Sequence, residues 1–280
     1  MQRIGSVLRR NIAQKDPHSR PFALLGQAPS LRTLHPMTPS QVLRWYIAQG
    51  VDDCVAEHTL DRTRAAPVRF LAPVESPLPV ADSSAHLALQ AASLADLQAL
   101  MQSYDGCALK RSCQSTVFGD GNPAARLMIV GEAPGADEDR LGLPFVGASG
   151  RLLDSMLAGI GLDRGQVYIS NVVPWRPPGN RKPEPAEVEL CLPFIRRQIE
   201  LVDPALLLLL GGAASASLLA RSDSISRLRG QWLEYTSHGL ARPIPALPTF
   251  HPAFLLRTPL QKREAWRDLL AVRQRLDQLG

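Results

Sequence analysis

Two loops rich in Gly and Pro carry the side chains best suited to chemistry. The first follows an apolar run at 127–130 and reads Gly131-Glu132-Ala133-Pro134-Gly135. The second also follows an apolar run and reads His251-Pro252-Ala253-Phe254-Leu255-Leu256-Arg257. Because loops at neighbouring strand ends can close on one small planar ligand, we predict that the two loops line a common pocket.

Three side chains in or near these loops offer complementary interactions. Asn171 ends a strand-like run, and its amide can both donate and accept hydrogen bonds. Phe145 offers a flat apolar face for stacking on a planar ring. His251 offers an imidazole N–H that can stabilise developing negative charge. Each also has an ordinary interpretation, as a strand-end turn residue, a core phenylalanine and a turn residue before proline.

The elements that would position these residues follow from the hydrophobic periodicity. Strands are predicted at 127–131, 167–172, 205–210 and 244–248, and helices at 149–160, 185–201, 212–220 and 259–278. Such alternation favours parallel pairing with helices on both faces. We therefore predict an α/β fold, a three-layer α/β/α sandwich with a central, mostly parallel four-stranded sheet and an N-terminal helical extension.

The chain divides into four predicted segments. Residues 1–36 form a disordered basic arm, and residues 37–62 an N-terminal helical segment. Residues 63–90, rich in Pro, Ala and Ser, form a linker. Residues 91–280 form the main domain, beginning with a short helix that Ser93 caps and that runs through Met101.

Composition bounds the class of protein. With 280 residues and 45% hydrophobic content, the chain can bury one α/β core with appendages. Its longest apolar run, 205–210, is far shorter than the ~20 residues that span a bilayer, and no secretory leader is recognisable. Four cysteines favour a reducing compartment, so we expect a cytoplasmic protein of the bacterial cytosol and nucleoid, without membrane contact.

The net charge of +5 is unevenly spread. Residues 140–280 carry 18 basic and 12 acidic side chains, whereas residues 37–139 carry 7 and 13. A basic half suits the phosphate backbone of a nucleic acid as partner. An ordinary solvated surface would explain the same distribution equally well.

The two loops, together with the block from Ile169 through Arg181 that contains Pro177-Pro178-Gly179, resemble the motifs of the uracil-DNA glycosylase superfamily, specifically its family 4. The resemblance covers about residues 104–280. It implies that 91–280 is the catalytic domain of a monofunctional DNA N-glycosylase, a hydrolase that flips uracil out of DNA and leaves an abasic site for base-excision repair. The expected partners are uracil-containing DNA and, afterwards, downstream base-excision repair enzymes; we expect a monomer.

The resemblance also implies roles for individual residues. Asn171 would read the uracil edge, Phe145 would stack on the base with the 131–135 loop, and His251 would stabilise charge at O2. Glu138 would lie near uracil C5, where it would exclude the methyl group of thymine, and Glu132 would organise its loop through backbone amides. Three consecutive acids at 137–139 are more usually a solvated turn. DNA contacts are implied for Ser149, Arg176, Asn180, Arg181 and Arg257, and an apolar wedge for Leu255 and Leu256.

The family pattern breaks at its metal site. Family 4 enzymes hold a [4Fe–4S] cluster on four cysteines, and only Cys107 and Cys191 remain here, with Tyr104 and Trp175 at the other two positions. Two thiolates cannot complete the set. We therefore predict no cofactor and no metal, with Cys107 and Cys191 as buried, inert thiols and Trp175 filling the vacated volume; Cys113 and Cys54 are poorly spaced substitutes.

Other functions remain open at this point. A non-catalytic uracil-DNA or nucleic-acid-binding module of the same fold is the main alternative, and a nucleotide-binding or nucleoside-hydrolysing α/β domain is a more distant one. The four lysines (15, 110, 182 and 262) lie outside the pocket motifs, so we expect no lyase activity through a lysine.

Overall fold

The structure, a computed structural model, describes residues 80–279, with side chains from Ser84 onward. The predicted basic arm at 1–36, the helical segment at 37–62 and the first part of the linker lie outside the described residues.

A six-stranded sheet organises the described chain. Its strands, in sequence order, are β1 (Asp120–Gly121), β2 (Leu127–Gly131), β3 (Val167–Asn171), β4 (Leu206–Leu210), β5 (Leu233–Tyr235) and β6 (Ile244–Thr249). The spatial order is β1-β3-β2-β4-β6-β5, and the four central strands run parallel. The predicted parallel four-stranded centre is confirmed. The two short antiparallel edge strands, β1 and β5, are additions that sequence periodicity did not indicate.

Nine helices connect and cover these strands within the described residues. They are α1 (Val80–Gln90), α2 (Leu94–Ser103), α3 (Ala136–Leu141), α4 (Ala148–Gly159), α5 (Pro185–Val202), α6 (Gly211–Leu219), α7 (Ile225–Leu228), α8 (Pro252–Arg257) and α9 (Lys262–Gln278). Ser93 caps α2 as predicted, since its hydroxyl accepts a hydrogen bond from the Asp96 amide.

Two hydrophobic clusters lie on opposite faces of the sheet. Alternate residues of β4 separate between them: Leu207 and Leu209 pack with α1, α2, α5 and α6, whereas Leu206, Leu208 and Leu210 pack with α4 and α9. All five leucines are fully buried, as expected of a central strand covered on both faces. The three-layer α/β/α arrangement is therefore confirmed.

Three segments differ from the predicted elements. Residues 80–90, the predicted end of the linker, form α1 instead, and its Ala88 is buried against the core. The acidic triplet 137–139 is the first turn of α3 and not a solvated turn; Glu138 and Asp139 are buried. The loop after His251 is the short helix α8. Carboxylates are favourable in the first turn of a helix, which explains why the triplet is compatible with α3.

No helix within residues 80–279 combines the length and the apolar character needed to cross a membrane.

Candidate functional site: a pocket at the carboxyl ends of the parallel strands

The carboxyl ends of β2, β3 and β6 open into one cavity. Its volume is about 470 Å³, and the segments that follow these three strands form its walls. Twelve of the residues predicted for the site line it: Glu132, Ala133, Pro134, Gly135, Glu138, Phe145, Ser149, Asn171, Asn180, Arg181, His251 and Arg257. The predicted common pocket is therefore present, with the amide of 171, the ring of 145 and the imidazole of 251 around it.

Asn171 presents an unused acceptor to this cavity. The residue is 4% exposed, and its Oδ1 atom accepts no hydrogen bond from any described residue. A buried acceptor without a partner costs free energy, so a ligand N–H that pairs with it is strongly favoured. Gly131 lies opposite Asn171 in the β2–β3 register, and a Cβ at Gly131 would come within 2.5 Å of that oxygen. Gly131 therefore permits the amide to sit at the cavity floor.

Phe145 forms an aromatic wall beside the amide. Its ring is buried, and its Cζ atom would lie 2.5 Å from a Cβ placed on Gly131. The ring centroid is 5.5 Å from that of His251, with 31° between the planes. Phe145 also has a φ of +54°, a conformation that a bulky L residue adopts only when its surroundings impose it.

His251 is held as a neutral imidazole with a defined tautomer. It caps α8, where its Nδ1 accepts a hydrogen bond from the Ala253 amide at 3.1 Å. Partial burial lowers the pKa of His251 to about 4, and the positive charge of Arg257 acts in the same direction. Because Nδ1 accepts, the single proton of the neutral ring lies on Nε2, which is the donor available to a ligand.

Glu138, and not Glu132, organises the first loop through backbone amides. Its Oε1 accepts from the amides of Val146 (3.0 Å) and Gly147 (2.8 Å), and its Oε2 accepts from the amide of Gly135 (3.1 Å). This carboxylate therefore ties the 131–135 loop to the 144–147 segment that carries Phe145. The prediction that Glu132 has this role was wrong.

Glu132 is instead a half-buried carboxylate that faces the cavity and makes no side-chain hydrogen bond to another described residue. Desolvation raises the pKa of Glu132, whereas the positive charge of Lys182 opposes the rise. Lys182 lines the cavity too, although it lies just outside the motif that ends at Arg181.

Two of the three arginines predicted to meet DNA, Arg176 and Arg181, are already paired within the protein. Arg176 Nε donates to Asn180 Oδ1 at 2.7 Å, and the Arg176 guanidinium lies 3.9 Å from Asp139. Arg181 makes a bidentate pair with Glu187, at 2.6 and 2.8 Å. Because both guanidinium groups already have partners, a DNA phosphate would have to compete with those partners for Arg176 and Arg181. Arg176 also lies outside the cavity lining.

Of the two leucines predicted to form an apolar wedge, only Leu256 is exposed. Leu255 is 1% exposed and packs with Phe250 and Ala265, because α8 turns it inward; it cannot serve as an exposed wedge in this conformation. Leu256 is 44% exposed and is the residue of the pair that faces solvent. Ser149 lies in the first turn of α4 at the cavity wall.

Five lining residues had been given no individual role from the sequence: Pro177, Lys182, Pro183, Ala253 and Phe254. Each lies within two positions of a predicted residue, so proximity to the motifs was the available signal. The extra ring of Phe254 could not be assigned to the cavity without knowing that α8 begins at Pro252.

The four positions that match the cluster ligands of family 4 converge in the core beside the sheet. Tyr104, Cys107, Trp175 and Cys191 belong to the same buried cluster, and the rings of Tyr104 and Trp175 stack at 6.1 Å. Trp175 is fully buried, and its indole N–H donates to Thr116 at 3.0 Å. Aromatic rings thus stand at two of the four ligand positions, and the residues do not fit a four-thiolate cluster.

The remaining cysteines do not complete a ligand set. Cys113 is directed to the Lys110 carbonyl, at 3.2 Å, and Cys54 lies outside the described residues. Cys107 and Cys191 are buried as predicted. The hydrogen bond with Cys191 lowers the pKa of the Cys107 thiol to about 7, and the same bond raises the pKa of Cys191. Among the described residues, no group of three or more His, Cys, Asp or Glu side chains is arranged to hold a metal ion.

Comparison with known proteins agrees with this geometry. Residues 118–270 match the family model of the uracil DNA glycosylase superfamily. The Type-4 uracil-DNA glycosylase of Pyrobaculum aerophilum is 38% identical over 180 residues, which cover 63% of this chain and 91% of that protein. Those of Archaeoglobus fulgidus (41% identical; 61% and 87% covered) and Thermotoga maritima (40%; 54% and 77%) are similar. The chain therefore belongs to the uracil DNA glycosylase superfamily, and within it to the type-4 enzymes.

Proposed function

We propose that this protein is a monofunctional uracil-DNA glycosylase that takes uracil out of the DNA stack and hydrolyses its N-glycosidic bond. The observation that carries the proposal is the unpaired, buried Oδ1 of Asn171 in a cavity that also contains the Phe145 ring and His251. The names of the relatives support the same activity.

Asn171 selects the base. Its Oδ1 accepts from uracil N3–H while its NH₂ donates to uracil O4. Cytosine has an acceptor at N3 and an amino donor at C4, so an acceptor would face the Oδ1 acceptor and a donor would face the NH₂ donor. A site built on buried hydrogen bonds rejects the wrong base strongly, because the mismatch leaves polar groups unpaired. Glu138 lines the same cavity, and its three amide bonds support a fixed wall near C5 that excludes the thymine methyl group.

His251 stabilises the leaving base. As the bond from uracil N1 to deoxyribose C1′ breaks, the electron pair departs with uracil, and its negative charge spreads to O2. A neutral Nε2–H donor there requires no prior protonation of the ring, which the low pKa of His251 disfavours above about pH 4. One such donor contributes about 3–4 kcal/mol to stabilisation of the transition state.

Glu132 positions the water. Its half-buried carboxylate faces the cavity and keeps its oxygens free of other described side chains and amides. The water adds to C1′ and releases a proton, which a carboxylate of raised pKa accepts more readily than an ordinary one. The uracil anion takes up one proton from solvent, and Glu132 returns its proton to solvent, so the products are free uracil and an abasic site.

Release of an abasic site defines the next reaction. That product needs an enzyme that cleaves DNA at a sugar without a base, so we propose that this protein acts before such base-excision repair enzymes. We propose further that it acts as a monomer in the cytoplasm.

We also propose that this enzyme works without an iron–sulfur cluster. The support is the stacking of Tyr104 on Trp175 and the burial of both rings in the cluster that contains Cys107 and Cys191. Iron analysis and visible spectroscopy of anaerobically purified protein test the proposal: we expect less than about 0.1 iron per chain and no broad thiolate-to-iron band. The double variant Tyr104→Cys/Trp175→Cys is the positive control, because it restores four thiols; stoichiometric iron in the wild type would refute the proposal.

The activity is tested on an oligonucleotide with a single uracil, followed by alkaline cleavage of the abasic product. Asn171→Ala and His251→Ala should each lower the rate of uracil release by about a hundredfold or more. The matched controls are Asn122→Ala and His238→Ala, which alter the same residue types outside the cavity. Binding of the oligonucleotide without uracil release by the wild type would contradict the proposal.

A further inference from the structure

Arg164 connects the aromatic wall of the cavity to the rest of the domain. It begins the short 3-10 turn that precedes β3, and none of the motifs discussed above contains it. Its Nε donates to Asp154 of α4 at 2.8 Å, and its Nη1 donates to Asp120 of β1 at 2.8 Å. The same guanidinium donates to the carbonyls of Pro144 (3.2 Å) and Phe145. One side chain thus joins an edge strand, a helix and the segment that carries Phe145.

Gly150 packs closely against the carbonyl of Phe145. A Cβ on Gly150 would lie 1.7 Å from that oxygen, so only a bare α-carbon allows α4 to approach it. The carbonyl therefore contacts both Gly150 and the guanidinium of Arg164. This arrangement matters because the φ of +54° at Phe145 is unfavourable for a residue with a bulky side chain. Such a conformation persists only when neighbouring groups impose it.

Arg164 does not line the cavity, and its side chain is 26% exposed. Its bonds end on backbone carbonyls and on the two carboxylates, so its effect on a ligand must pass through Phe145. A planar fork with several donors can satisfy four acceptors at once, whereas an ammonium cannot reach both carbonyls and both carboxylates.

We propose that Arg164 is a positioning residue that imposes the strained backbone of Phe145 and so fixes the ring on which the extruded pyrimidine stacks. The proposal rests on the proposed function, because it assigns the ring of Phe145 to base stacking.

Two readouts separate this proposal from a general effect on stability. The first is a double-mutant cycle: Arg164→Met should lower kcat/KM for uracil release by about tenfold in the wild-type background, in the range of one stacked base. In a Phe145→Ala background the same substitution should have less than about a twofold effect, because the ring through which it acts is gone.

The second readout is the NMR chemical shift of the His251 ring protons, which requires no activity. The Phe145 ring lies 5.5 Å from the His251 ring and shifts its resonances. Phe145→Ala should remove this contribution, and Arg164→Met should change it. A wild type that releases no uracil while these shifts behave as expected would refute the proposed function and leave the positioning role supported.

Arg197→Met is the matched control, since Arg197 is similarly buried and also binds a backbone carbonyl and a carboxylate, but outside the cavity. Arg164→Lys keeps the charge if Arg164→Met does not fold; it should recover thermal stability without recovering kcat/KM. Equal losses in both backgrounds of the cycle, unchanged His251 shifts, or an equal loss of kcat/KM in Arg197→Met would overturn the proposal.

Discussion

Gly131→Ala tests the geometry of the cavity with a single methyl group. The added Cβ would lie 2.5 Å from Asn171 Oδ1 and 2.5 Å from Phe145 Cζ, whereas ordinary contact begins at 3.4 Å. Each side chain would have to withdraw by about 0.9 Å, and neither can do so easily because both are buried. Displacement of catalytic groups by about 1 Å costs roughly a hundredfold in rate, so we expect a loss of that order in uracil release.

The measurement is single-turnover release of uracil from an oligonucleotide, together with the free energy of unfolding in urea. Overpacking should destabilise the Gly131→Ala protein by about 1–3 kcal/mol. Gly161→Ala is the matched control: its φ of +73° makes an Ala strained by about 1–3 kcal/mol, but a Cβ there meets no atom within 4 Å. A folded Gly131→Ala protein with wild-type release would refute the assignment of Asn171 and Phe145 to the site.

Three other substitutions probe the titratable groups. The pKa of His251 is about 4 in the folded protein and 6.5 ordinarily, so the unfolded chain takes up this proton at a higher pH than the folded protein does. The free energy of unfolding should therefore fall as the pH drops from about 6.5 through 4, and it should fall less steeply in His251→Gln. Urea denaturation at several pH values measures both. Parallel pH dependences would contradict this. Glu138→Gln replaces one carboxylate oxygen, an acceptor, by an NH₂ donor that faces the Gly135 amide. In the same assay the free energy of unfolding should fall by about 1–3 kcal/mol, and an unchanged value would mean that the loop does not depend on these hydrogen bonds. Glu132→Gln removes a carboxylate of raised pKa, so the melting temperature should rise while uracil release falls, and unchanged release would exclude Glu132 from water activation.

The central sheet could be predicted because its signal is local. A run such as Leu206–Leu210 is apolar at every position, and only a strand covered on both faces accommodates that pattern in so few residues. The edge strands could not be predicted, since Asp120–Gly121 is two residues long and is defined by its pairing with β3. Its strand character is a tertiary property.

The candidate site likewise has features that local sequence predicts and features that depend on tertiary structure. Which residues surround the cavity followed from motifs at strand ends, and Asn171, Phe145 and His251 do surround it. The division of labour between Glu132 and Glu138 did not follow, because it depends on α3 turning Glu138 back toward three amides. The inward turn of Leu255 depends in the same way on where α8 begins.

The internal pairing of Arg176 and Arg181 affects how DNA binding depends on salt. A cation that must leave Asn180 or Glu187 before it meets a phosphate exchanges one partner for another. The Glu187 carboxylate that is left behind takes up a cation from solution, so the net release of counterions is smaller and the slope of log affinity against log salt concentration is shallower. A low affinity for undamaged DNA that changes little with salt suits an enzyme that must scan many undamaged nucleotides for each base it removes.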